Sequence, residues 1–299
     1  MIQEKLSGTG VALVTPLLSN RNVDFDNLSK LIDHVIEGGV DYLVCLGTTG
    51  ESPTFSWTEK IEILNHTIAA AKDRVPVVFG LGSNSTQEVL GKMDEIRSLP
   101  IDAILSVSPY YNRPSQDGLL RHYHAIAEAS SKPVIIYNVP GRTSSNVDAK
   151  TVLALAKHEN IIGIKDATAD MFQLSTLARE KPEGFLLISG EDSLSLPTMS
   201  VGGEGLISVL ANLLPKEISE MIRSAIAGDF EKARSLHLQL LPFFKLSTLE
   251  GNPPSIKTGL QALGIGERYV RSPLFEGSKA LLEQFVAALS QKKGVTSTP

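Results

Sequence analysis

The sequence predicts an α/β protein, a (β/α)8 TIM barrel with a C-terminal helical appendage, and three observations carry that expectation. Eight short apolar runs recur along the chain as far as Val209. Segments with helical hydrophobic spacing lie between them. Beyond the eighth run no strand pattern returns, and the remainder reads as helices divided by prolines.

The runs are Gly10 to Pro16, Tyr42 to Leu46, Val75 to Leu81, Ala103 to Val107, Val134 to Tyr137, Ile161 to Ile164, Phe185 to Ile188 and Leu206 to Val209. Strands this apolar need cover on both faces, which calls for a parallel sheet joined by right-handed crossovers. Eight strand and helix repeats are the count that closes a barrel. An open doubly wound sheet is the alternative, weakened because no Gly-x-Gly-x-x-Gly turn follows the first strand. Between the runs, Phe25-Leu28-Leu31-Ile32-Val35-Ile36 and Ile61-Leu64-Ile68-Ala71 place apolar residues on one helical face. Asp24, Ser56, Ser83 and Ser115 stand shortly before such segments as expected N-caps. Ile218 to Ala227 is the expected eighth barrel helix. Phe230 to Leu241, Ser255 to Leu263 and Ser278 to Leu289 are the appended ones, punctuated by Pro215, Pro242, Pro253-Pro254 and Pro273. The expected division is 1–228 for the catalytic barrel and 229–299 for the helical region. From Gly294 onward the chain has nothing to bury and is expected to fray.

Composition narrows the function classes. The chain has 299 residues, 42% hydrophobic and 20% charged, with a formal net charge of −5. That balance, with no basic run, gives no reason to expect nucleic acid or an anionic membrane as partner. A single cysteine, Cys45, leaves no internal disulfide or multi-cysteine metal site and suits the cytoplasm. The N-terminus carries no secretory pattern, and no segment is apolar for membrane-spanning length, so a protein neither exported by that route nor embedded is expected. The histidines are 34, 66, 122, 124, 158 and 237. His122 and His124, two apart on a helix, do not share a face, so no metal is expected.

In a barrel of this kind the chemistry sits at the C-terminal ends of the strands. The sixth run ends in Lys165, and an unpaired charge is not tolerated in an apolar core. It either snorkels out of a strand end or places an amine in the mouth. Strand two ends in Gly47-Thr48-Thr49-Gly50-Glu51-Ser52, with two hydroxyls and adjacent N–H groups, or else a polar loop capping the next helix. Strand four ends in Ser108-Pro109-Tyr110-Tyr111-Asn112, two phenols that also suit packing or an interface. Strand five ends in Tyr137-Asn138-Val139-Pro140-Gly141-Arg142-Thr143. Arg142 either pairs with a surface carboxylate or grips a substrate carboxylate in two places. Strand seven ends in Ser189-Gly190-Glu191-Asp192, and strand eight carries Ile207. One amine among phenols and hydroxyls suits imine chemistry. A desolvated lysine attacks a ketone, the iminium loses a proton to give an enamine, and hydroxyls shuttle the protons.

The motifs Gly-Thr-Thr-Gly-Glu, Tyr-Tyr-Asn, Tyr-Asn-Val-Pro-Gly-Arg-Thr, the lysine after Gly-Ile, and Gly-Asn-Pro-Pro-Ser-Ile-Lys run in this order across almost the whole chain. In this it resembles the dihydrodipicolinate synthase and N-acetylneuraminate lyase family of pyruvate-dependent class I aldolases. The resemblance implies that Lys165 forms the imine with pyruvate and that Tyr137 is the acid/base residue beside it. Thr49 and Tyr111 would complete a proton relay, Tyr111 reaching into a neighbouring subunit's site, with Thr48 holding the loop. Thr49 and Ile207 would hold the pyruvate by their backbone, with Gly190 beside them, and Arg142 would hold the second substrate's carboxylate. No cofactor is implied, and the assembly would be a homotetramer built as a dimer of dimers.

Thr48 and Arg142 favour a short carboxylated aldehyde, L-aspartate 4-semialdehyde, as the second substrate in the diaminopimelate route of lysine biosynthesis. A neuraminate lyase or 2-keto-3-deoxy sugar acid aldolase is the alternative on the same scaffold, and a non-catalytic keto-acid-binding barrel the alternative from another class. In lysine-inhibited members the product binds at the dimer interface. Ser52, Asn84, Glu88 and Tyr110 match that allosteric pocket, whereas Trp57 and Lys60 stand where histidines are usual, so feedback is expected to be weak or absent.

Overall fold

Eight parallel strands close on themselves in sequence order: β1 (Gly8–Ala12), β2 (Tyr42–Cys45), β3 (Val77–Gly80), β4 (Ala103–Val107), β5 (Val134–Asn138), β6 (Ile161–Asp166), β7 (Leu186–Ser189) and β8 (Gly205–Ser208). The barrel closes where β1 pairs with β8, Gly10 opposite Ile207. This computed structural model describes residues 2–295. Each apolar run supplies a strand, Ala103 to Val107 with its expected limits and the others with shifted ones. β1 starts at Gly8 and stops at Ala12, so Leu13 to Pro16 continue as loop, and β6 runs past its apolar residues through Lys165 to Asp166.

The two faces of the strands bury different sets of side chains. Val44, Val78, Leu105, Ile135, Ile188 and Ile207 pack together as the barrel interior. Leu43, Phe79 and Ile104 pack outward against the helices. The pairing of β5 with β6 breaks this alternation once. Val134 lies opposite Ile161, but Ile135 lies opposite Gly163, so Ile162 is an extra residue in β6. A bulge of this kind shifts every later side chain to the other face. Ile164 therefore points outward with Ile136. Lys165 falls opposite Tyr137, an interior residue. Gly163 permits the close approach this requires, since a Cβ there would lie 2.8 Å from Leu186.

The helices follow the expected spacing. Phe25–Glu37, Trp57–Ala71, Thr86–Ile96, Gln116–Ala129, Ala149–Leu155, Met171–Glu180, Ser195–Ser200 and Pro215–Ile226 cover the barrel. Asp24 and Ser115 cap their helices by accepting from Asn27 and Gly118, and Ser56 forms a capping box with Glu59. Ser83 does not cap Thr86–Ile96, the helix after β3, as expected. Ser85 does, accepting from Glu88 N, while Ser83 Oγ accepts from Ser85 N and donates to Glu88.

Three further helices follow: Phe230–Leu246, Pro254–Leu263 and Lys279–Val295. Pro242 does not end the first of these, contrary to expectation. The helix continues because Phe243, Phe244 and Leu246 bury their side chains, which outweighs one lost hydrogen bond. Gly294 and Val295 belong to the last helix, and residues 296–299 lie outside the described residues. Ile256, Leu260, Leu281 and Phe285 join the same hydrophobic cluster as Leu213 and Leu214 of the barrel. Among the described residues no helix is long and apolar enough to cross a membrane.

Candidate active site

The bulge in β6 determines where the amine lies. Lys165 is 5% exposed, and its Nζ stands 4.2 Å from the centroid of the Tyr137 ring. Tyr137 is buried too, at 7%. A buried ammonium normally requires a carboxylate partner. The adjacent Asp166 does not serve as one. Its carboxylate accepts from Thr168 N at 2.8 Å, Gln173 Nε2 at 3.0 Å and Asn138 Nδ2 at 3.1 Å. Because side chains alternate, this carboxylate faces the opposite side of the sheet from Lys165. Lys165 is thus a buried side chain whose Nζ lies over the face of a phenol.

Gly190 completes the floor. A Cβ at that position would lie 3.1 Å from Lys165 Cε and 2.8 Å from Ala167, so only glycine leaves room for the lysine side chain. Next to it, Asp192 ties the end of β7 to the end of β8. Its carboxylate accepts from Ser208 Oγ, from Val209 N at 3.0 Å and from Leu210 N at 2.9 Å. Burial pushes this carboxyl up to about 6, against the pull of those donors. The clasp fixes the backbone that follows Ile207, itself 1% exposed in the interior.

The loop after β2 carries Thr48, partly exposed, and Thr49, 3% exposed. It turns tightly, Gly50 N to Gly47 O and Glu51 N to Thr48 O, both at 3.1 Å. A Cβ on Gly50 would press on Leu46 and on Leu13 O. Glu51 then reaches away into the C-terminal helices. Its Oε1 takes the Lys257 ammonium and its Oε2 the Arg271 N–H at 2.9 Å, and both side chains of the ion pair are buried. Burial pushes the Lys257 ammonium down, and Glu51 opposes it. Arg271 also binds Glu59 at 2.6 Å and Thr54 O at 3.0 Å. The loop that presents both threonines is therefore held from the far end of the chain.

Arg142 lies in a single helical turn, Pro140–Thr143, and its side chain is exposed except where Nη2 donates to Asn252 O at 3.3 Å. Thr48, Tyr137 and Arg142 border one cavity of about 520 Å3. Ser52, Glu88, Tyr110, Trp57 and Lys60 border the same cavity on its outer side. Asn84, the fourth residue expected there, does not line the cavity; its backbone carbonyl accepts from Asn112 Nδ2 at 2.8 Å. Tyr111 is not brought to this chain's own site. It is 90% exposed on a left-handed backbone with φ of 74°, a conformation unusual for a bulky residue. Of the residues read from the strand ends, Thr48, Tyr137 and Arg142 border this cavity, while Lys165, Thr49, Gly190 and Ile207 are not among its lining; that reading assigns no role to Asp192, Lys257 or Asn252. A lysine within the apolar spacing of Ile256 and Leu260 was the available signal for Lys257.

The sequence model of the dihydrodipicolinate synthetase family matches residues 5–292. The 4-hydroxy-tetrahydrodipicolinate synthase of Azobacteroides pseudotrichonymphae is 44% identical over 97% of this chain and 98% of its own length. The crystal structure of the chloride-inhibited dihydrodipicolinate synthase of Acinetobacter baumannii complexed with pyruvate aligns with a TM-score of 0.93 and 38% identity, covering 96% of this chain and 99% of that one. A protein described as the first monomeric dihydrodipicolinate synthase variant aligns with a TM-score of 0.94 and 34% identity, covering 97% and 98%.

Proposed function

The chain belongs to the dihydrodipicolinate synthetase family, and on that premise we propose that it is the lyase-type enzyme that condenses pyruvate with L-aspartate 4-semialdehyde to give 4-hydroxy-tetrahydrodipicolinate. The observation that carries this reading is the buried Lys165, its Nζ over the face of Tyr137, beside a cavity bordered by Thr48, Tyr137 and Arg142. The amine attacks the pyruvate ketone and water leaves, forming an imine. Tyr137 is proposed to take a proton from the methyl carbon, which gives an enamine. That carbon bonds to the aldehyde carbon of the semialdehyde while the aldehyde oxygen takes a proton. The semialdehyde amine then adds to the imine carbon and displaces Lys165, closing the ring. Gly190, Ile207 and the Thr49 backbone are the proposed seat of pyruvate, and Arg142 that of the aldehyde's carboxylate.

The proposed assembly is a homotetramer, a dimer of dimers, in which each exposed Tyr111 enters a neighbour's relay with Thr49 and Tyr137. The cytoplasm is the proposed compartment, which a single buried cysteine, Cys45, suits. A coupled assay with pyruvate and either aspartate semialdehyde or N-acetylmannosamine tests the reaction: turnover is expected with the first acceptor, and turnover with only the second would replace this reading. Lys165→Ala is expected to abolish borohydride-dependent attachment of pyruvate. Stoichiometric labelling of that variant would remove Lys165 from the chemistry.

A further inference from the structure

Asn252 stands between two of the appended helices, outside the barrel, yet it touches two proposed site residues at once. Its side-chain Nδ2 donates to Thr49 Oγ1 at 3.0 Å, and its backbone carbonyl accepts from Arg142 Nη2 at 3.3 Å. Its Oδ1 is buried and has no hydrogen-bond partner among the described residues, so the side-chain amide is oriented by its donor end alone. The segment that carries it is rigidly anchored. Lys257, one helical turn further on, binds Glu51 in the same loop as Thr49, and Ser255 N bonds Gly251 O at 3.0 Å.

We propose that Asn252 is a positioning residue that sets the direction of proton transfer at Thr49 and fixes Arg142 at a set distance from it. This rests on the functional reading above. A hydroxyl that accepts from an amide N–H keeps its own proton free to donate. With Asn252 donating, Thr49 is a proton donor toward the relay, in the sense needed to return a proton to Tyr137. The backbone contact to Arg142 ties the carboxylate-binding end of the mouth to the acid/base end, so the second substrate is held in register with the relay.

Asn252→Ala and the near-isosteric Asn252→Asp test this. Both are expected to trap pyruvate on borohydride treatment as the unmodified enzyme does, with kcat lowered roughly tenfold in Asn252→Ala. In Asn252→Asp at pH 8 the carboxylate accepts from Thr49 and reverses its hydroxyl, so kcat is expected to fall further. It should recover relative to the unmodified enzyme as the pH is lowered toward 5.5 and the acid regains a proton to donate. A residue that served only the fold would give no such recovery. Asn252→Ala with unaltered kcat, or Asn252→Asp with the unmodified pH profile, would overturn the proposal. Failure of the unmodified enzyme to trap pyruvate would overturn the functional reading itself, which the same experiment separates from the role of Asn252.

Discussion

Two residues near the mouth answer to different physics. Arg142 is exposed, and among the described residues its side chain hydrogen-bonds a backbone carbonyl and no carboxylate, which leaves its charge for a substrate carboxylate. Arg142→Ala is expected to lower kcat/KM for aspartate semialdehyde by about 1.5 to 3 kcal/mol while leaving pyruvate trapping intact. Unchanged steady-state kinetics would take Arg142 out of the site. Asp192 is the opposite case, a buried carboxylate with no ion-pair partner among the described residues. Its folded pKa of about 6 lies above the ordinary 3.8. Between those values the folded state holds more protons than the unfolded chain, so this group's contribution to stability falls as the pH rises through that window and is flat above it. In Asp192→Asn the amide is placed to donate to Ser208 Oγ and accept from Val209 and Leu210. The variant should therefore fold but lose that slope, about 2 to 3 kcal/mol across the window. Thermal unfolding at pH 4 and pH 7 checks it, and parallel curves for the two proteins would show the assignment wrong.

At the scale of elements, legibility follows how local the cause is. The eight strands and their covering helices were readable because periodicity and capping act over a few residues. Ser83 lost its expected role to Ser85 because two hydroxyls flank the same helix start, and only backbone geometry chooses between them. The side of the sheet on which Lys165 emerges was not readable at all, since the bulge at Ile162 is defined by pairing with β5. That Lys257 pairs with Glu51, 206 residues away, was unreadable for the same reason. That pair makes a firm prediction. Glu51→Gln leaves a buried ammonium unpaired and is expected to cost about 3 to 5 kcal/mol in urea unfolding. The double variant Glu51→Gln/Lys257→Met should recover most of that stability, since it removes both charges. Losses that simply add would mean the two groups do not act as a pair. Activity should not recover with stability, because the loop bearing Thr48 and Thr49 loses its tether.

The whole molecule presents one cavity that runs from the barrel mouth outward to Ser52, Glu88 and Tyr110. Tyr111 is 90% exposed on a left-handed backbone, a conformation unusual for a bulky residue. Tyr111→Phe is accordingly expected to reduce turnover, and full activity at a concentration where sedimentation finds only monomer would refute a shared tyrosine. The outer cavity bears on regulation by the end product of the proposed route. Ser52, Glu88 and Tyr110 border it as an amino-acid site would require, but so do Trp57 and Lys60. Trp57 is held in place: its Nε1 donates to Glu95 at 2.5 Å, its ring meets Phe79 edge-on, and Lys92 Nζ sits 4.6 Å from its centroid. It is not free to swing aside for a ligand. The Lys60 side chain borders the cavity rather than standing clear in solvent, and burial pushes its ammonium down, with Glu88 opposing. Glu88, the carboxylate that would receive a ligand's α-amine, thus already faces a cation, and a lysine ligand would bring a second positive charge into the same space. Initial rates titrated with L-lysine are expected to fall weakly or not at all. Near-complete inhibition at submillimolar lysine would mean that Trp57 and Lys60 rearrange on binding and that the cavity is a working feedback site.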